Sequence, residues 1–366
     1  MKELTTRQSK LLILFYTCLN KIMFLPSVLS GQVQNNFWVV MALLFVLEGL
    51  FILLLLKINS LNPATTIFEK LQNVFGKFVS KAFFFLLGIL LIFKLSIMFH
   101  EAYIYFFEAL FVDLSWLIIL VPLIIYLGYV ATRNLRNFGR NIEIFYYVII
   151  ACIFIVLVDS FMNINFSNML PLFNTSVTNI SASAVNCCVW FGDFLALFFI
   201  LGNVKMEKKT NKQIFSGWLL GVLTTLVVAV FFYSTFGSIA SMKRLGLLDL
   251  TQNIPRLSST GNFGWLISML WPVAILFELG FVTFLIKQSY FNTFNCKGKY
   301  GVHLVYVCLT AVIVILTIFQ FRVTTLMDFL FKGFKYYAFA VQYIIPAMLL
   351  IVLSIFLKQR GNNNAK

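Results

Sequence analysis

Charge is scarce in this chain of 366 residues: 11% of it is Asp, Glu, Lys or Arg, against 61% hydrophobic and 17% aromatic residues. Such a composition has too little polar surface to coat a soluble globule of this size, so the chain belongs in a membrane. No linker or soluble domain is expected either, since the longest external segments are about 160–183 and 238–263. Function therefore has to reside in the membrane bundle or with a partner. A glycine-rich nucleotide loop, a catalytic triad and a metal constellation are all missing, so nothing points to an enzyme or to a cofactor. The six cysteines are Cys18, Cys152, Cys187, Cys188, Cys296 and Cys308, and no spacing among them resembles a zinc or haem motif. Five lie inside apolar runs and read as small buried hydrophobes. A cleavable leader is not expected, because Asn20 and Lys21 interrupt the first apolar run and no small-residue cleavage site follows.

What is present is a series of apolar runs of about 17–26 residues, the length a helix needs to cross roughly 30 Å of hydrocarbon. Spans are expected near 10–29, 37–56, 82–107, 115–131, 143–161, 184–203, 214–237, 264–286, 303–320 and 337–357, which makes ten transmembrane helices in one all-α membrane domain, 1–366. The net charge of +15 is distributed by topology. With the amino terminus inside, 20 of the 28 basic residues fall on cytoplasmic segments, and the positive-inside bias places both termini in the cytoplasm. The basic excess is thus no nucleic-acid footprint. Between the second and third spans, Phe68, Leu71, Phe75 and Phe78 recur at helical spacing with Lys70, Lys77 and Lys81 elsewhere on the turn. That stretch reads either as a helix lying along the headgroups or as a plain connecting helix. Gly217 and Gly221 form a GxxxG motif expected to serve close packing within the bundle.

A charged residue at the centre of a spanning helix costs about 2.5–3.5 kcal/mol on insertion scales, so each needs a partner, water or a function. Lys21, Glu48, Lys94, Asp193 and Glu278 are the deep ones. Glu48 and Lys94 are isolated on their own helices and are expected to pair with each other. His100 and Glu101 sit in the outer part of the third span, where snorkelling to water is expected. Lys21 and Asp193 differ because each coincides with a weak point in its helix. Asn20 and Lys21 lie one to two turns before Pro26, and Asp193 follows Gly192 in VWFGDF. These are spans one and six of ten, and interruptions in corresponding positions of two halves point to a five-plus-five inverted repeat, about 8–161 and 184–357, with a binding site at mid-membrane. Asn20, Lys21, Phe191, Gly192, Asp193 and Glu278 are the candidate ligand-binding residues. Lys21 is expected to approach Asp193, with a small ligand competing for or bridging the pair. Glu278, nearly two turns after Pro272, is expected to meet the ligand's ammonium or to serve coupling.

Taken in order, LTTRQ at 4–8, MFLPSVL at 23–29, Trp38, FSNMLPLF at 166–173 and WFGDFLALFFILGNV at 190–204 resemble the B-subunit family of bacterial spore germinant receptors, the GerAB-type spore germination permeases. That family belongs to the amino acid/polyamine/organocation transporter superfamily. The resemblance covers essentially the whole chain. It departs where the family has a small-residue break before the FLP segment and this chain has Leu19-Asn20-Lys21. The resemblance implies a nutrient sensor of the spore inner membrane that binds an amino acid or similar germinant beside an A-type and a lipoprotein C-type subunit. A proton- or cation-coupled amino acid transporter of the same fold is the first alternative, and a ligand-free structural membrane subunit is the second.

Overall fold

The structure, a computed structural model, describes residues 4–63, 65–107, 116–252, 264–295 and 328–363. Within these residues the chain is a bundle of helices: α1 Thr6–Ile22, α2 Leu25–Val33, α3 Phe37–Leu61, α4 Ile67–Tyr105, α5 Trp116–Ala131, α6 Leu135–Ser160, α7 Val177–Cys187, α8 Leu197–Ile200, α9 Thr210–Phe236, α10 Gly246–Gln252 and α11 Gly264–Phe294. The last stretch runs through a π segment Leu330–Phe334, α12 Lys335–Phe339, a second π segment Ala340–Ile344 and α13 Ile345–Asn363. Seven helical segments among the described residues are long and apolar enough to cross a membrane. The ninth expected span, 303–320, lies outside the described residues, as do Cys296 and Cys308.

Local chemistry explains where the helices start and stop. LTTRQ is a capping box: Thr5 Oγ1 accepts from the Gln8 amide at 3.2 Å, and Gln8 Oε1 accepts from the Thr5 amide at 3.1 Å. Thr66 and Glu69 repeat the device at the start of α4. The first span breaks after Ile22 because Pro26, in the first turn of α2, brings no amide to continue the ladder. The Met23 carbonyl freed there accepts from the Gly246 amide of α10 at 2.7 Å. Pro272 likewise frees the Ser268 carbonyl of α11, which the Tyr105 hydroxyl of α4 satisfies at 3.2 Å.

Close packing of α1 against α9 rests on the GxxxG motif. A Cβ at Gly217 would collide with the Lys10 carbonyl, and one at Gly221 would stand 2.8 Å from the Leu14 carbonyl. The amino-terminal segment is then tied across the end of the sixth span: the Leu4 amide donates to the Asn203 carbonyl at 3.2 Å, and the Lys205 amide to the Leu4 carbonyl at 2.9 Å. Two sequence signposts far apart in the chain, LTTRQ and ILGNV, are thereby joined by backbone. At the other end, Asn35 Nδ2 donates to the carbonyls of Met169 and Pro171 at 3.2 and 2.6 Å, which is how FSNMLPLF is seated against the turn before α3. The stretch around Lys70 does not lie free among headgroups. Ile67 and Leu71 are buried against the bundle, Lys70 Nζ donates to Asn59 Oδ1 at 3.2 Å, and Gly76, at φ +79°, turns the chain into the third span.

Candidate functional site

The site is built on the break of the sixth span. After α7 the chain makes a 3-10 turn at Cys188–Trp190, an extended residue at Phe191 and a left-handed one at Gly192 (φ +85°), then re-enters helix through Asp193–Ala196. Only glycine takes that conformation without steric cost. In hydrocarbon, backbone groups released this way must be satisfied by protein. Here side chains from four other helical segments take them. Glu48 Oε1 of α3 accepts from the amides of both Gly192 and Asp193, the latter at 3.0 Å. Lys94 Nζ of α4 donates to the Phe191 carbonyl at 3.1 Å, Asn20 Nδ2 of α1 to the Trp190 carbonyl at 3.3 Å, and Gln342 Nε2 of the last π segment to the Cys188 carbonyl at 2.8 Å.

Charge is matched on top of this backbone scaffold. Lys21 Nζ lies 2.5 Å from Asp193 Oδ2, with both side chains sealed from solvent, and also donates to the Thr17 carbonyl at 3.1 Å. Lys94 Nζ lies 3.8 Å from Asp193 Oδ1. Lys21, Lys94, Glu48 and Asp193 thus gather around a single turn of backbone, with Asp193 facing both ammonium groups. Aromatic faces complete the shell: Lys21 Nζ is 5.2 Å from the centre of the Phe191 ring, and Lys94 Nζ is 5.1 Å from that of Tyr16.

Beside the cluster is a small cavity of about 30 Å³, bordered by Asn20, Phe24, Glu101, Tyr105, Trp271 and Glu278. Its volume holds about one water molecule. Trp190 links two of these residues to the broken span, since its carbonyl accepts from Asn20 and its indole Nε1 donates to Glu101 Oε1 at 2.8 Å. Glu278 Oε1 is buried and finds no hydrogen-bond partner among the described residues. Phe24, at the break of the first span, also borders a second recess of about 360 Å³, lined by Ser27, Gly31, Gln32, Ile104 and Ser241 at the end of the bundle opposite Thr6.

The structure therefore brings Lys21, Phe191, Gly192 and Asp193 into one cluster, puts Glu278 across the adjoining cavity, and makes Asn20 the residue common to both. Two expectations are corrected. Glu48 and Lys94 do not pair with each other; each grips the broken span, because its amides and carbonyls are nearer partners than an opposite side chain. His100 and Glu101 do not snorkel: both are buried, with Glu101 held under Trp190. Sequence reasoning missed Gln342. Its one signal is Pro346 four residues later, which opens the helix at Gln342 and accompanies the π segment there.

With this geometry, the class is clear: an all-helical integral membrane protein built on interrupted spans. The fold matches a manganese transporter of Eremococcus coleocola in complex with an aromatic bis-isothiourea substituted compound at a TM-score of 0.56 and 10% identity, over 96% of this chain and 85% of that one. Two mutants of a manganese transporter from the same organism match at a TM-score of 0.59, with 11% and 12% identity and the same coverage. Identity this low carries the fold alone. The profile of the spore germination protein family, Spore_permease, matches residues 3–329, and the chain belongs to that family. No curated protein matches the chain.

Proposed function

We propose that this protein is the nutrient-sensing subunit of a spore germination receptor, binding an amino acid or similar small zwitterion at mid-membrane and passing its binding on to A-type and C-type partner subunits. The observation that carries the reading is the buried Lys21–Asp193 pair at the junction of two interrupted spans. Both ends of a zwitterion have a chemical match in reach of one another. Glu101 and Glu278 border the small cavity and would draw an ammonium, while Lys21 and Lys94 would draw a carboxylate. A ligand approaching past Phe24 competes with Asp193 for those lysines. Its binding energy is then spent on separating two broken helices, which is the differential interaction a two-state switch requires.

Lys21 also gives the reading its direction. A fixed ammonium in this place stands in for a coupling cation, so a receptor can change state without an ion gradient. The reading includes the inverted repeats 8–161 and 184–357, cytoplasmic termini and residence in the spore inner membrane. A thermal-shift screen of the purified chain against amino acids, nucleosides and sugars tests it, because a ligand of the folded state raises apparent stability by mass action. A stabilising amino acid supports it, and stabilisation by none of them would leave a structural subunit.

A second reading, a coupled amino acid transporter, is favoured by the fold shared with transporters. Uptake by vesicles containing this chain alone would select it. The metal chemistry of those neighbours is not carried over: among the described residues no group of three His, Cys, Asp or Glu side chains is placed to hold a metal ion.

A further inference from the structure

Away from the charge cluster, α5 carries Pro122 in its interior, where the missing amide and the bulk of the ring loosen one turn of helix. An apolar recess of about 440 Å³ opens beside it, lined by Phe106, Ile118, Ile119, Leu123 and Leu276. It faces outward, since Ile118 and Ile125 on the same helix are more than half exposed. A second recess, of about 350 Å³ and mostly polar, lies where α5 turns into α6, with Arg133, Asn137, Arg140 and Asn141 on its walls. Tyr126 borders both, so the two adjoin. Its hydroxyl donates to the Leu276 carbonyl at 2.9 Å, which fixes the ring where the two meet.

The geometry points to a binding site for one anionic phospholipid, with an acyl chain along the apolar recess and its phosphate among Arg133, Arg140, Asn137 and Asn141. A slot that is apolar at one end and cationic at the other, open to the lipid-facing side, matches a lipid and not a soluble metabolite. The cations are available: neither Arg133 nor Arg140 has a carboxylate partner among the described residues. Arg133 is also held in position, because its guanidinium lies 4.1 Å from the centre of the Tyr129 ring and its carbonyl accepts from Lys287 Nζ at 2.7 Å. The site adjoins the start of α1, since Glu143, three residues beyond Arg140, accepts from Gln8 Nε2 at 3.0 Å. A lipid phosphate there steadies the corner against which the start of α1 is bonded.

The test uses the full-length chain in detergent micelles doped with phosphatidylglycerol, with phosphatidylcholine, or containing inorganic phosphate alone, read by native mass spectrometry and by melting temperature. The wild type is expected to retain phosphatidylglycerol over phosphatidylcholine by roughly tenfold or more, as two surface arginines warrant. Arg133→Gln/Arg140→Gln should abolish the preference, and Ile118→Trp, which fills the slot, should lower retention of both lipids. Equal retention of the two lipids by the wild type would overturn the site, and that measurement does not depend on any variant folding. Stabilisation by inorganic phosphate equal to that by phosphatidylglycerol would overturn it too, since the anion alone would then suffice.

Discussion

Lys21 Nζ and Asp193 Oδ2 stand 2.5 Å apart although they are 172 positions apart in the chain, and each sits at the break of its spanning helix. Asp193 lies in a run with no polar face because Lys21 supplies its counter-charge across the bundle. Leaving one member of a buried pair without the other costs about 3–5 kcal/mol, whereas replacing both with apolar groups is often near neutral.

The first prediction follows from that asymmetry. Lys21→Met and Asp193→Leu should each lower membrane abundance and melting temperature, by about 3–5 kcal/mol in stability, and the double variant should lose less than the sum. Lys94, 3.8 Å from Asp193, keeps the cycle from being perfectly closed, so Asp193→Leu is expected to be the worse of the two. Simple additivity would show that the residues are not energetic partners.

Gly192 gives the second. Its positive φ costs a non-glycine residue about 1–2 kcal/mol, and any Cβ there would press on the Gln342 side chain. Gly192→Leu should reduce the nutrient response that the proposed function implies while the protein still accumulates. Gly192→Ala should be milder, and it should lower the melting temperature less in a Gln342→Ala background than in the wild type, because the clash is then gone. An equal loss in both backgrounds would mean that Gln342 is not what the side chain meets.

These residues also mark what the sequence could and could not reveal. Lys21 and Asp193 were legible because an uncompensated charge in an apolar run demands a partner, and Pro26 and Gly192 mark where a helix yields. The GxxxG contact was legible because small residues one turn apart leave one use for the space. The grip of Glu48, Lys94 and Gln342 on the break was not, because it depends on how three further helices are rotated, and no local pattern encodes that. Glu101 was misplaced for a related reason: counting residues along α4 puts it near the end of the span, but Trp190 covers it there.

Glu278 is the third case. Its Oε1 is buried without a partner among the described residues, on a wall shared with Asn20 and Glu101. Glu278→Gln keeps the shape and removes the charge. It should weaken the nutrient response that the proposed function implies. A dose–response curve superimposable on the wild type would remove Glu278 from the site.

Phe24 separates the 30 Å³ cavity from the 360 Å³ recess. In a chain whose native cysteines are replaced by alanine, Asn20→Cys should react slowly with a small water-soluble thiol reagent, and Phe24→Ala should speed that reaction by about tenfold or more by joining the two spaces. An unchanged rate would mean that the approach to Asn20 does not pass Phe24.

The most direct test of the account is a thermal-shift titration of the wild type and the Lys21→Met/Asp193→Leu double variant with the amino acid that stabilises the wild type. At a ligand concentration of about 100 times its Kd, the wild type should gain roughly 2.7 kcal/mol of apparent stability. The double variant should fold and show no gain. An equal gain in both proteins would contradict the claim that the ligand acts through the Lys21–Asp193 pair.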